Sequence, residues 1–168
     1  FPVDKNLYVA SVKDGIFKMN GKKIANPKGW GILKNTVVHA IEKYKEETYI
    51  FTQKKGVFVV QNNGLKPWDN PLNETLKSTT INVARFIKGN KLVIGTGNKG
   101  VFILDLKSNL FKNIDRNNVL MNNSILSIGF DKEDDLWLGL DNGIAHIEVN
   151  SPISIFYDNT GILGSVYS

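Results

Sequence analysis

Apolar and polar positions along the chain alternate in short bursts, and the bursts recur. Leu7-Tyr8-Val9-Ala10 runs into a polar turn ending at Gly15 and resumes at Ile16-Phe17. Thr48-Tyr49-Ile50-Phe51 does the same through Gly56 to Val57-Phe58, and Leu92-Val93-Ile94 through Gly100 to Val101-Phe102. Leu136-Trp137-Leu138-Gly139-Leu140 repeats the figure one residue shorter, through Gly143 to Ile144-Ala145. The shared glycines at 15, 56, 100 and 143 set a period of about 43 residues. A second apolar element keeps register with them: Val37-Val38-His39-Ala40-Ile41, Ile81 to Phe86, and Ile125 to Phe130. A weaker strand follows each hairpin, as in Leu110 to Ile114 and Ile153 to Phe156, and Val166-Tyr167-Ser168 reads as the start of a further one.

Alternation and β-branched enrichment favour strands. No apolar period of 3.6 residues persists with caps, so almost no helix is expected. Even Ile41 to Glu47, the most helix-like stretch, falls where the repeat requires a strand end and a hairpin. About four short antiparallel strands per repeat of this length is the blade of a β-propeller. The prediction is therefore an all-β partial propeller over residues 1–168, with about four four-stranded blades. Glycine at each turn supplies positive φ without a Cβ penalty. The chain opens just before one glycine hairpin and stops inside another repeat, which predicts a piece of a longer array. Neighbouring blades or a second chain would then cover its open edges.

Composition narrows the function classes. Hydrophobic residues make up 42% and charged residues 22%, as in ordinary globular domains. The apolar runs are far too short to span a membrane, and Phe1-Pro2-Val3-Asp4 has no signal-peptide pattern, as in a mature or cloned fragment. Cysteine is absent, which removes disulfides, thiolate metal sites and thiol nucleophiles. The net charge of +5 comes from scattered lysines, with only Arg85 and Arg116 as arginines. Nucleic-acid surfaces concentrate their positive charge, so solvated edge lysines are the preferred reading and no nucleic acid is expected.

Candidate chemistry is thin. Gly95-Thr96-Gly97-Asn98-Lys99-Gly100 fits a dinucleotide fingerprint, but a strand follows it where a helix is needed. Asp131, Glu133, Asp134 and Asp135 lack the spacing of a calcium loop and read as a solvated turn. His39 and His146 lie in strands of different repeats with no partners identifiable from sequence. No catalytic, cofactor or metal residue is assigned, and no cofactor is expected. Trp137, at a repeat position, is expected in the core between blades.

The fourth repeat carries a signature. Asn122-Asn123-Ser124-Ile125, the acidic turn from Asp131 to Asp135, Leu136-Trp137-Leu138-Gly139 and Asn142-Gly143-Ile144 together resemble the two-component regulator propeller repeat. Asn150 to Ile153 and Gly161 to Ser168 resemble the lead into the next blade in triple-tyrosine-motif regulators of Bacteroidetes. The strong match covers about residues 117 to 168; repeats one and two carry Tyr8 and Tyr49 at the Trp137 position and lack a Gly139 equivalent. The resemblance implies a non-catalytic, periplasmic sensor segment of an inner-membrane protein. It would feed a histidine kinase or a DNA-binding output and so control transcription, with an oligosaccharide as ligand. Trp30 and Trp68, in loops outside the repeated strands, are the candidate sugar-stacking residues, although packing against a neighbouring blade is the preferred reading for each. A polysaccharide lyase or glycosidase propeller, or a protein-interaction scaffold, remains the alternative, because fold alone does not fix function.

Overall fold

The computed structural model describes residues 1–61 and 64–149. Four antiparallel meanders follow one another along the chain. Blade 1 comprises β1 (Pro2–Val3), β2 (Asn6–Ser11), β3 (Gly15–Asn20) and β4 (Lys23–Ala25). A single 3₁₀ turn, Gly31–Leu33, leads to blade 2: β5 (Val38–Tyr44), β6 (Glu47–Thr52), β7 (Val57–Gln61) and β8 (Gly64–Pro67). After helix α1 (Pro71–Lys77) comes blade 3, with β9 (Ile81–Ile87), β10 (Lys91–Thr96), β11 (Val101–Asp105) and β12 (Phe111–Ile114). Blade 4 contributes β13 (Ile125–Phe130), β14 (Leu136–Leu140) and β15 (Gly143–Ile147). This is the all-β propeller segment that the repeat predicts. The expected strands at Ile153 to Phe156 and Val166 to Ser168 lie outside the described residues.

The phase differs in one respect from expectation. Blade 1 does not open at its hairpin, because Pro2 and Val3 pair with Leu7 and Asn6 as a short first strand. The first strands β1, β5, β9 and β13 are neighbours, so consecutive sheets stack face to face. The hairpin glycines take φ of 86°, 74°, 69° and 126°. Behind them, Thr52 Oγ1 and Thr96 Oγ1 donate to the carbonyls of Gly56 and Gly100 and accept from Lys55 and Lys99 N–H. The hydroxyl thus satisfies the turn N–H that the ladder leaves over and adds a second bond to a carbonyl that already accepts the threonine's own N–H.

Three apolar cores fill the three junctions. Tyr8, Ile16, Trp30 and Leu33 of blade 1 meet Ile41, Ile50 and Phe58 of blade 2. Tyr49, Phe51 and Val57 of blade 2 meet Leu92, Ile94 and Phe102 of blade 3, with Leu72 and Leu76 of α1 inserted alongside. Val93 and Val101 of blade 3 meet Ile125, Leu136 and Leu138 of blade 4. Each such fully buried side chain contributes about 1.5–3 kcal/mol. Gly95 allows the third junction to close, since a Cβ there would lie 2.6 Å from Ile125 Cγ2. An ion pair crosses each junction among the described residues: Asp4–Lys43 at 2.8 Å, Glu42–Arg85, and Lys88–Asp134 at 2.9 Å. Being solvated, these pairs contribute at most about 1 kcal/mol each.

Trp137, expected between blades, lies on the face of blade 4 against which the described residues place no neighbouring sheet. It is 44% exposed, because Leu136 and Leu138 face blade 3 while the intervening residue of the strand points the other way.

Candidate functional site

The loop after β8 positions Trp68. Its N–H donates to Val57 O at 2.9 Å, and its carbonyl accepts from Asn73 Nδ2 at 2.8 Å and from Asn70 N–H at 3.1 Å. Asn70 is also the N-cap of α1, accepting from Leu72 N–H at 3.0 Å, with Pro71 opening the helix. Asn73 is buried and ties three segments together, accepting from Val57 N–H at 2.7 Å and donating to Val57 O at 3.1 Å. The indole meets Tyr49 edge to face, with centroids 6.0 Å apart and planes at 86°. Tyr49 O–H donates to Glu47 Oε2 at 2.7 Å, and burial together with that bond holds its phenol far above the ordinary range.

Trp68 is half-buried and lines a groove of about 400 Å³ with Glu47, Val59, Gln61, Lys66 and Asp69. An aromatic face set among a carboxamide, an ammonium and two carboxylates can take an apolar ring face and bond the hydroxyls around its edge.

Trp30 is placed differently. It is buried in the first junction, stacked on Tyr8 with centroids 5.8 Å apart and planes at 7°. Its Nε1 is buried without a hydrogen-bond partner. The indole is thus blade-to-blade packing, not a surface for a sugar.

A second cavity, about 470 Å³, lies where the first strands of blades 1 to 3 converge. His39 lines it with Asp4, Glu42, Lys43 and Arg85. Burial lowers the His39 pKa below its ordinary value, and its Nε2 has no partner. Asn82 occupies the same bulged position in blade 3 and donates to Ile125 O at 3.1 Å.

Sequence reasoning left His146 without partners, and the fold supplies two. Asp131, Asp135 and His146 each bring one potential ligand atom to within 4.8 Å of the others. Those oxygens are already engaged. Asp131 Oδ2 accepts from Trp137 Nε1 at 3.0 Å and faces His146 Nε2 at 3.3 Å, while Oδ1 accepts from the N–H groups of Glu133 and Asp135. Asp135 Oδ1 accepts from Val149 N–H at 3.2 Å. The Trp137 bond, followed by these others, holds the Asp131 carboxyl below its ordinary value. The cluster pins the acidic turn over the β14–β15 hairpin, with the Trp137 and His146 rings tilted at 36° and their centroids 4.6 Å apart. Among the described residues, no helix is long and apolar enough to cross a membrane.

No family model matches the chain, and none of the curated proteins does. Solved structures do match. The extracellular domain of BT3049 from B. thetaiotaomicron, described as a hybrid two-component system, superposes with a TM-score of 0.64 at 26% identity. The match covers 86% of this chain and 19% of that one. The extracellular domain of BT4673 from the same organism, described as a one-component and as a hybrid two-component system, matches in two structures. Their TM-scores are 0.66 and 0.68 at 22% and 21% identity, over 84% and 87% of this chain and 18% and 19% of those. PorZ, a surface component of the type-IX secretion system of Porphyromonas gingivalis, shares the fold at 13% identity with a TM-score of 0.58, covering 83% of this chain and 23% of PorZ. The chain thus spans about a fifth of the length of the proteins it matches. Its structural neighbours are extracellular domains of Bacteroides hybrid two-component and one-component systems, the kind of regulator that its Leu136-Trp137-Leu138-Gly139 signature resembles.

Proposed function

We propose that the chain is a non-catalytic sensor segment of an extracytoplasmic regulator region, and that the Trp68 groove receives a ring of an oligosaccharide. The similarity to the BT3049 extracellular domain, over 86% of this chain, supports the regulator reading. The observation that carries the site is the half-exposed Trp68 indole among Glu47, Gln61, Lys66 and Asp69. A sugar ring would lay its C–H face on the indole and bond its hydroxyls to these side chains. Occupancy would bias the ectodomain between two arrangements and so the cytoplasmic output. In the parent protein this region would be periplasmic and the output a histidine kinase or a transcription regulator.

Isothermal titration of the purified chain with soluble plant, fungal and host oligosaccharides tests this reading. The expected result is saturable binding of one class, weakened about tenfold by Trp68→Ala, or about 1.4 kcal/mol. Binding undiminished in Trp68→Ala would remove the groove from the reading. No binding across the panel would remove the ligand class, and release of reducing ends would replace sensing with catalysis.

A further inference from the structure

The groove beside Trp68 carries a charge balance opposite to that of the chain. The whole chain is +5, whereas the charged residues lining the groove are Glu47, Asp69 and Lys66, two carboxylates against one ammonium. Among the described residues no ion pair engages any of the three. Blade 2 has a sheet packed on either side, so this balance belongs to an interior part of the array.

The register gathers these groups on one face. Tyr49 pairs with Val59, and Val59 with Lys66; alternation adds Glu47 and Gln61 to the same side. Buried Val59 forms an apolar floor, and the edge contact with Tyr49 fixes the indole beside it. Glu47 is held as well, because its Oε2 accepts the 2.7 Å bond from Tyr49 O–H. Asp69 follows Trp68 in a turn closed by Asn70 N–H on Trp68 O. Lys66, by contrast, carries its ammonium on a flexible four-carbon stem. The charge held in place is therefore negative.

We infer, resting on the oligosaccharide reading of this groove, that it selects an amino sugar with a free ammonium over neutral N-acetylated and acidic sugars. The C–H face of the ring covers the indole, and the ammonium donates to Glu47 and Asp69. With charge on both partners, such bonds are about twice as strong as neutral ones. N-acetylation removes that charge, and a uronate brings a third carboxylate with only Lys66 to meet it. The net charge of the whole chain acts in the opposite sense, drawing acidic ligands from a distance. Preference for an amine is thus a property of the groove that bulk charge does not imitate.

Titration calorimetry at mildly acid pH, where the sugar amine is protonated, tests this with glucosamine, N-acetylglucosamine and galacturonate oligomers of equal length. The proteins are the wild type, Trp68→Ala and the double variant Glu47→Gln with Asp69→Asn, in which a glutamine oxygen still accepts from Tyr49 O–H. The glucosamine oligomer is expected to bind about tenfold tighter than its N-acetylated form, as a charged bond in place of a neutral one gives. The galacturonate oligomer is expected to bind most weakly. In the double variant the two glucosamine forms should come within about threefold of each other, and Trp68→Ala should weaken both. Equal affinities, or galacturonate binding tightest and lost in Trp68→Ala, overturn the inference and leave the groove as a sugar site. A glucosamine preference that survives the double variant overturns it too, because the amine is then read elsewhere. Binding that Trp68→Ala leaves unchanged removes the groove and the inference together. If none of the three oligomers binds, the inference falls, and the wider oligosaccharide panel decides the groove on its own.

Discussion

Asn73 is the single side chain on which the candidate groove most depends, and its removal has a calculable cost. Asn73→Ala deletes three hydrogen bonds, of 2.7 Å, 3.1 Å and 2.8 Å. The losses are unequal. Val57 O keeps its bond from Trp68 N–H, and Trp68 O keeps its bond from Asn70 N–H. The N–H of buried Val57 loses its side-chain acceptor. An orphaned buried donor costs about 1–3 kcal/mol, and the two remaining bonds add about 1 kcal/mol between them, so the expected total is about 2–4 kcal/mol. With a urea m-value of about 2 kcal/mol/M, the midpoint falls by about 1–2 M at constant m. Asn113 in blade 3 provides the comparison. Its Nδ2 donates to Lys99 O and Val101 O, so Asn113→Ala strips donors from carbonyls and orphans no N–H. Its expected cost is about 1 kcal/mol. Equilibrium urea unfolding followed by circular dichroism measures both. A loss below about 0.5 kcal/mol for Asn73→Ala, or equal losses for the two variants, would refute the assignment of Val57 N–H as the costly orphan.

Two further outcomes follow from other parts of the molecule. Gly100→Ala sets a methyl at φ +69° onto the Ile114 carbonyl and 2.8 Å from Asp115 Cα, whereas Gly21→Ala at φ +59° meets nothing within 4 Å. The first should cost about 2 kcal/mol or more and the second about 1 kcal/mol, so similar thermal midpoints would contradict the packing argument. His39→Asn installs the residue that blade 3 uses at the same position. Because burial lowers the His39 pKa, the unfolded chain takes up that proton first. The wild type therefore holds its full stability above about pH 6.5 and loses it as pH falls toward the folded pKa. Unfolding free energies measured from pH 7.5 to 5 should show the variant gaining on the wild type as pH drops, and parallel profiles would count against it.

The strands and hairpins were legible because each needs only local information. Alternation names the strand, and a glycine at positive φ names the turn, as at Gly56 and Gly100. Helix α1 was missed although its start is written in Asn70-Pro71, a cap followed by proline, because the repeat pattern gave no reason to look between blades. Trp137 is a different case. Its position in the repeat predicts burial, but burial also requires a neighbouring sheet, and the described residues supply none. The Asp131–His146 contact spans fifteen residues across a hairpin and was invisible to spacing rules. Of the two loop tryptophans, sequence could not separate the groove residue from the core residue. That distinction depends on Tyr8 lying flat against Trp30 while Tyr49 meets Trp68 only at an edge.

Among the described residues the three junction cores share no side chains, and blades 1 and 4 are joined through the two sheets between them. Such a molecule behaves as a short chain of coupled links, not as one block. Amide hydrogen exchange should show the end blades opening at lower free energy than blades 2 and 3. Among the described residues, a molecule held at Trp68 is felt elsewhere back through the core around Ile50 or forward through the one around Leu92. Whatever blade 2 registers must travel along the array in order, as tension passes along a row of linked plates.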